Sequence, residues 1–317
     1  MDTYLGLDLG GTKLLIGEVD AEGNVLGAQR YATGQVSQQE AVRIIRQSLD
    51  DYISRTGWHD AMKRPVAMGV DLVGRIDNEH GIWHQIDAGR TEPMPLAQEL
   101  ERTYGMPCRL DNDVKAATRA EARWGCGRQS RDFIYINVGT GLAAGIVTGG
   151  QLVRGGHFNA GEVGHTTVGG MMPVGVRCVC GREDCVELLT AGVGFDRCAR
   201  LLANRYETQL DIPQDGTPVS VKDVFALARQ NDPLCEVLTD NAAKALAGLM
   251  MNLVRVTDPD TIVLGGSIVA DGYLLGRTEQ YLQAHTMRFV TGGVRITQLN
   301  PQYIGLLGAA AVAMGEI

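Results

Sequence analysis

Two segments of this chain repeat one design. Residues 4–8 read as a buried strand, Leu9-Gly10-Gly11-Thr12-Lys13 as a tight turn, and residues 14–19 as the returning strand. Far along the chain, residues 133–138 read as a strand ending in Gly139-Thr140-Gly141, and residues 144–148 as the strand that follows. Glycine has no Cβ, so such a turn lets backbone N–H groups approach a bound group closely. The repetition predicts two related domains, each opening with strand, glycine turn, strand. The remaining pattern is α/β. Val42, Ile45, Leu49 and Ile53 recur at helical spacing over residues 39–53. Further helices are expected at 96–104, 114–124, 188–207 with a break near Gly192-Val193-Gly194, 221–229, 233–257 and 305–314, and strands at 25–31, 66–70, 108–111 and 261–264. A length of 317 residues suits two domains or one large α/β domain.

Composition narrows the function classes. Hydrophobic residues make up 44% and charged residues 21%, the balance of a globular chain able to bury a sizeable core. A formal net charge of -8 argues against a nucleic-acid partner, because phosphate binding needs clustered Lys and Arg. No apolar run is long enough to span a bilayer, and Asp8 with the glycine pair interrupts the first apolar run, so no signal peptide is expected. Of seven cysteines, Cys108, Cys126, Cys198 and Cys235 are scattered. That is no disulfide framework, and the expected compartment is the reducing cytoplasm.

The other three cysteines cluster. Cys178, Cys180 and Cys185 offer soft thiolates, and His165 stands beside glycines in Gly161-Glu162-Val163-Gly164-His165. Zinc takes about four such ligands in a tetrahedron. A structural Cys3His site would pin the twelve residues that separate His165 from Cys178. Asp8, at a strand end, can reach Mg²⁺ directly or through water. Thr12 adds a hydroxyl and Lys13 a charge. Asn112-Asp113 ends a strand and opens a helix. By itself that pair reads as a helix cap. In the company of the other motifs, Asp113 reads as a base that accepts the proton of an attacking hydroxyl, with Asn112 holding a neighbouring hydroxyl.

Gly-Glu-x-Gly-His followed by Cys-x-Cys-Gly-x-x-x-Cys-x-Glu resembles the signature of the ROK family of bacterial sugar kinases and sugar-responsive repressors. The resemblance covers nearly the whole chain, from Asp8 to the last helix. It implies a two-lobed actin-like ATPase (ribonuclease H-like) α/β fold with a ligand cleft between the lobes. The implied domains are a small one at 1–111, joined by the C-terminal helix at 303–317, and a large one at 112–302 carrying the zinc-binding insertion. It implies phosphorylation of a hexose or N-acetylhexosamine at the 6-hydroxyl by ATP with Mg²⁺. Gly10, Gly11, Thr12 and Lys13 would meet phosphates in the first loop, and Gly139, Thr140 and Gly141 in the second. Gly265 and Gly266 would approach the adenosine. Asp113 would be the base, and Asn112, Glu162, His165 and Glu187 would bind sugar hydroxyls, with His165 ligating zinc through one ring nitrogen and facing the sugar with the other. A homodimer binding only sugar and ATP, without nucleic acid or membrane, is expected.

The alternative within the family is a sugar-binding regulatory relative without kinase activity. Those repressors carry a helix-turn-helix ahead of the first loop, for which a loop starting at Asp8 leaves no room. The sequence departs from the family pattern at Val73, where a proline is usual, at Asp87, near a usual asparagine, at Ala143 and Ala144, where glycines are common, and at Asp184, where glycine precedes the last cysteine. The first two departures fall on the sugar side.

Overall fold

A computed structural model of the protein describes residues 2–34, 36–56, 64–86, 89, 91–169 and 176–315. The chain opens with β1 (Thr3–Leu9), β2 (Lys13–Asp20) and β3 (Val25–Ala32), joined antiparallel. Helix α1 (Gln38–Thr56) follows, burying Val42, Ile45 and Leu49 as its spacing predicts. Strand β4 (Ala67–Leu72) lies parallel to β1. The short hairpin of β5 (Arg75–Asp77) and β6 (Ile82–Gln85) comes next, then α2 (Leu96–Tyr104) and β7 (Cys108–Asn112), parallel to β4. The sheet order is β3-β2-β1-β4-β7. Helix α3 (Asp113–Trp124) leaves the end of β7 directly.

The second half reuses the plan. Strands β8 (Phe133–Val138) and β9 (Leu142–Thr148) form the repeated hairpin. After the two-residue β10 (Gln151–Leu152) and a single 3-10 turn at Val163–His165 come α4 (Glu187–Thr190), α5 (Gly192–Leu202), α6 (Val221–Ala228) and α7 (Pro233–Thr257). Strand β11 (Thr261–Gly265) inserts parallel to β8. Helices α8 (Tyr273–Glu279) and α9 (Ala284–Met287) lead to β12 (Gly293–Ile296), parallel to β11, and α10 (Ile304–Met314) ends the described chain. β11 is buried along its whole length and β8 at all but one position, which is why both read as continuous apolar runs. Helix α7 starts where Asp232 accepts the Cys235 N–H ahead of Pro233, and it buries Leu238, Ala242, Leu246 and Leu249 in a core with Ile134, Ile136, Ile262 and Leu264. No described helix is long and apolar enough to cross a membrane.

Contacts divide the chain into two units, and the division differs from the expected boundary after residue 111. One unit takes Met1–Gln129, Gln151–Ala160 and Gln298–Ile317, the other Ser130–Gly150 and Gly161–Thr297. Helix α3 stays with the first unit because α10 packs on it. Gly308 of α10 approaches so closely that a Cβ there would lie 2.7 Å from the Ala116 carbonyl carbon. Residues 151–160 return to the first unit through two anchors, Arg154 on the buried Asp111 and the Lys115 ammonium, which donates to the Phe158 carbonyl at 3.3 Å.

Candidate active site

In the first unit, the parallel registers set Asp8, Asp71 and Asp111 abreast on β1, β4 and β7. Side chains level with one another on adjacent strands share a face. Asp111 is satisfied. Arg154 Nη1 and Nη2 donate to it at 2.7 and 2.8 Å, and Arg119 Nε at 3.0 Å. Burial works to raise its pKa, but the hydrogen bond and charge of Arg154, joined by the charges of Arg119 and Lys115, hold it below the ordinary carboxylate value.

Asp71 is different. It is fully buried, and no donor among the described residues reaches either of its oxygens. Its partner in the strand register is Asp8, another carboxyl, and two carboxyls side by side out of water cannot both stay ionised. Burial, then the charge of Asp8, pushes Asp71 well above the carboxylate range, so Asp71 is the member of the pair held protonated. Asp8 is raised less. Burial lifts it, while the neighbouring Asp71 and the charges of Lys13 and Arg30 pull it down. Gly305, in the first turn of α10, packs on the Asp8 carboxylate, which also places that charge at the positive end of a helix. Sequence reasoning missed Asp71. The available signal was one carboxylate inside a strand that otherwise reads as buried on both faces.

A neutral Asp71 makes a checkable statement about stability. The unfolded chain ionises this group near pH 4, and the folded chain takes the proton back, so the wild-type residue loses stability as pH rises above that value toward its elevated folded pKa. Asp71→Asn needs no proton. Its thermal midpoint should exceed the parent's at pH 7.5, and the difference should shrink by pH 4.5. A gap that grows on acidification would mean that Asp71 is ionised in the fold.

Asn112 and Asp113 meet where β7 becomes α3. Asn112 Oδ1 accepts the N–H groups of Val114 at 3.1 Å and Lys115 at 3.3 Å, capping the helix. Its Nδ2 donates to the Gly74 carbonyl at 3.1 Å and to Asp113 Oδ1 at 2.8 Å. The same oxygen of Asp113 accepts the Val114 N–H at 2.9 Å. The amide therefore orients the carboxylate, and a sugar hydroxyl would have to displace one of these bonds to reach Asn112. At the departure Val73-Gly74, the Val73 carbonyl accepts from Trp83 Nε1 at 3.1 Å. Asp87 lies outside the described residues. In the first glycine turn, Gly10 N–H donates to the Lys13 carbonyl at 2.9 Å, while Gly11, Thr12 and Lys13 are exposed.

The second unit brings its motif residues together on β9. Gly139 N–H donates to the Gly141 carbonyl at 2.9 Å, closing the turn, and Ala143 and Ala144 sit in the strand beyond it. Ala144 N–H donates to the Gly161 carbonyl at 2.8 Å, which seats Glu162 and the His165 turn against the strand. Glu187 opens α4 with Oε2 accepting the Leu142 N–H at 3.0 Å. Gly265 ends β11 and Gly266 follows it. Gly265 packs on the Tyr135 ring, and Gly266 takes a left-handed φ of 93° against Val138.

The Nδ1 of His165 and the sulfurs of Cys178, Cys180 and Cys185 lie within 4.8 Å of one another. His165 Nδ1 is 3.4 Å from Cys178 Sγ, and Cys180 Sγ is 3.5 Å from Cys185 Sγ. A tetrahedral zinc with ordinary bond lengths sets such ligand atoms about 3.5–3.8 Å apart, so the donor set fits that ion. Burial, then the neighbouring sulfurs, pushes the Cys185 thiol up to about 12, so a thiolate there calls for a cation beside it. Asp184 has φ 54°, which explains glycine as the usual residue ahead of the last cysteine, and an aspartate tolerates that conformation. His165 Nε2 faces Glu162 Oε2 at 4.0 Å.

The sequence pattern of the ROK family matches residues 4–316. A glucokinase of Streptomyces coelicolor is 31% identical over 99% of this chain and 98% of its own length. An N-acetylmannosamine kinase of Escherichia coli O1:K1 is 30% identical over 99% of each. The crystal structure of a ROK hexokinase from Thermus thermophilus superimposes with a TM-score of 0.77 at 30% identity, covering 98% of both chains. The glycine hairpins, the Asn112-Asp113 helix start and the Cys3His cluster thus sit on a shared actin-like ATPase fold that runs nearly end to end, and the chain belongs to the ROK family.

Proposed function

We propose that this protein transfers the γ-phosphoryl group of ATP to the 6-hydroxyl of a hexose or N-acetylhexosamine. The observation that carries the reading is the Asp113 carboxylate, gripped through one oxygen by the Asn112 amide and the Val114 N–H at the start of α3. A base must be held in register with the hydroxyl it deprotonates. Asp113 takes that proton as the hydroxyl attacks. Glu162, His165 and Glu187 bind ring hydroxyls, and Asn112 adds a sugar contact when it exchanges its Gly74 bond. Gly10, Gly11, Thr12 and Lys13 and the turn Gly139-Thr140-Gly141 meet phosphates, and Gly265-Gly266 borders the adenosine.

Asp8 would hold Mg²⁺, directly or through water, with Asp71 beside it on β4. Magnesium neutralises developing phosphate charge. His165, Cys178, Cys180 and Cys185 would hold a structural zinc, leaving His165 Nε2 to face the sugar beside Glu162. The protein works as a cytoplasmic homodimer on these small molecules. The names of the relatives support a sugar kinase and divide between glucose and N-acetylmannosamine.

An ATP-coupled assay across glucose, N-acetylmannosamine, N-acetylglucosamine and mannose tests the reading. ATP consumption should depend on one or two of these sugars, with phosphate on the primary carbon. Sugar-independent hydrolysis, phosphate on the anomeric carbon, or sugar-sensitive retardation of duplex DNA at physiological salt would each reject it.

A further inference from the structure

Glu187 stands between the second glycine turn and the Cys3His cluster. Its Oε2 accepts the Leu142 N–H at 3.0 Å, the first residue after Gly139-Thr140-Gly141. Its Oε1 has no hydrogen-bond partner among the described residues, and the side chain is half-buried. The same segment braces the other side of the turn. Gly192 N–H donates to the Gly139 carbonyl at 2.9 Å and Val193 N–H to the Thr140 carbonyl at 3.2 Å. The fit is tight, because a Cβ on Gly141 would lie 2.9 Å from Glu187 Oε2. Behind Glu187, Val186 N–H donates to the Thr166 carbonyl at 2.9 Å, and Cys185 belongs to the metal cluster, so the backbone that carries the carboxylate is itself pinned.

We propose that Glu187 couples the two substrates, holding the phosphate turn with one carboxylate oxygen while the other takes a sugar hydroxyl. This rests on the assignment of Glu187 to the sugar site. The backbone on both sides is held, so the freedom that remains is in the Glu187 side chain, bonded at Oε2 and, among the described residues, unpartnered at Oε1. A sugar hydroxyl on Oε1 fixes the carboxylate and with it the bond from the Leu142 N–H that braces the turn. The nucleotide then meets a turn whose brace is already set, and linkage makes the effect mutual, since phosphates on the turn favour the same carboxylate position. Glu187 is thus a positioning residue for the nucleotide as well as a sugar ligand. The coupling suits a kinase, because ATP is held productively only when an acceptor is present.

Calorimetric titration reads the coupling directly. Sugar affinity (glucose and N-acetylmannosamine) is measured with and without a non-hydrolysable ATP analogue, and analogue affinity with and without sugar, for the parent, Glu187→Ala and Gly141→Ala. In the parent, each ligand should tighten the other about tenfold. Glu187→Ala should weaken both ligands and bring the coupling factor close to one. Gly141→Ala, whose new methyl crowds Oε2, should weaken sugar binding severalfold even without nucleotide. Glu187→Ala with weakened sugar but unchanged analogue affinity and intact coupling would overturn the proposal and leave the sugar site standing. Unchanged sugar affinity in that variant would remove Glu187 from the sugar site altogether. Sugar binding indifferent to Gly141→Ala overturns the coupling even if Glu187→Ala fails to fold.

Discussion

Asp113→Asn is expected to fold like the parent, bind sugar and ATP, and lose about 10²–10⁴-fold in turnover. Asparagine has the shape of aspartate and keeps an oxygen where Oδ1 now accepts from Val114 N–H and Asn112 Nδ2. The helix start therefore survives, and what disappears is the ability to take a proton. The loss should fall on kcat, with sugar KM moving little, because the deleted function acts on the proton that leaves as the hydroxyl attacks. Steady-state kinetics across the preferred sugar, with a thermal melt as a fold control, decides it. Near-parent turnover would leave Asp113 a helix-start residue and nothing more.

Loss of the metal should be the other large effect. The purified protein is expected to hold about one zinc per chain. Cys180→Ser is the cleanest removal, since Cys180 is exposed whereas Cys178 and Cys185 are buried and packed. Metal content should fall, and sugar KM should rise about tenfold or more while ATP hydrolysis without sugar stays negligible. Two anchors explain the size. His165 loses the bond that points Nε2 toward Glu162, and Cys185 no longer pins the start of α4, where Glu187 begins. Metal analysis by mass spectrometry beside a sugar titration reads both quantities. A zinc-free wild type with full activity and an unchanged melting point would eliminate the site.

The glycine hairpins, the Cys-x-Cys-Gly knuckle and helix α7 were legible in the residues alone. Each is a local signal: glycine permits a turn, closely spaced cysteines can bring their sulfurs together, and Asp232-Pro233 starts a helix that Asp258 ends in a left-handed conformation. Helix α1 was legible because an amphipathic period survives without knowledge of what covers it. The β5–β6 hairpin and β12 were not, because they are three or four residues long and take their form from their neighbours.

The extent of the first contact unit was not legible for a related reason. A change of element at Asn112 looks like a domain junction in sequence, whereas α3 packs on a helix nearly two hundred residues later. The pairing of Asp8 with the buried Asp71 and the Glu187–Leu142 bond share this character. The sequence by itself determined which residues can turn, cap, ligate and alternate, because those properties reside in each residue's own backbone preferences and chemistry. Only the tertiary structure decided which of them meet. Strand register across distant segments set one carboxyl beside another, and the burial of Asp71 in the middle of an apolar strand pushes its pKa well above the ordinary carboxylate range.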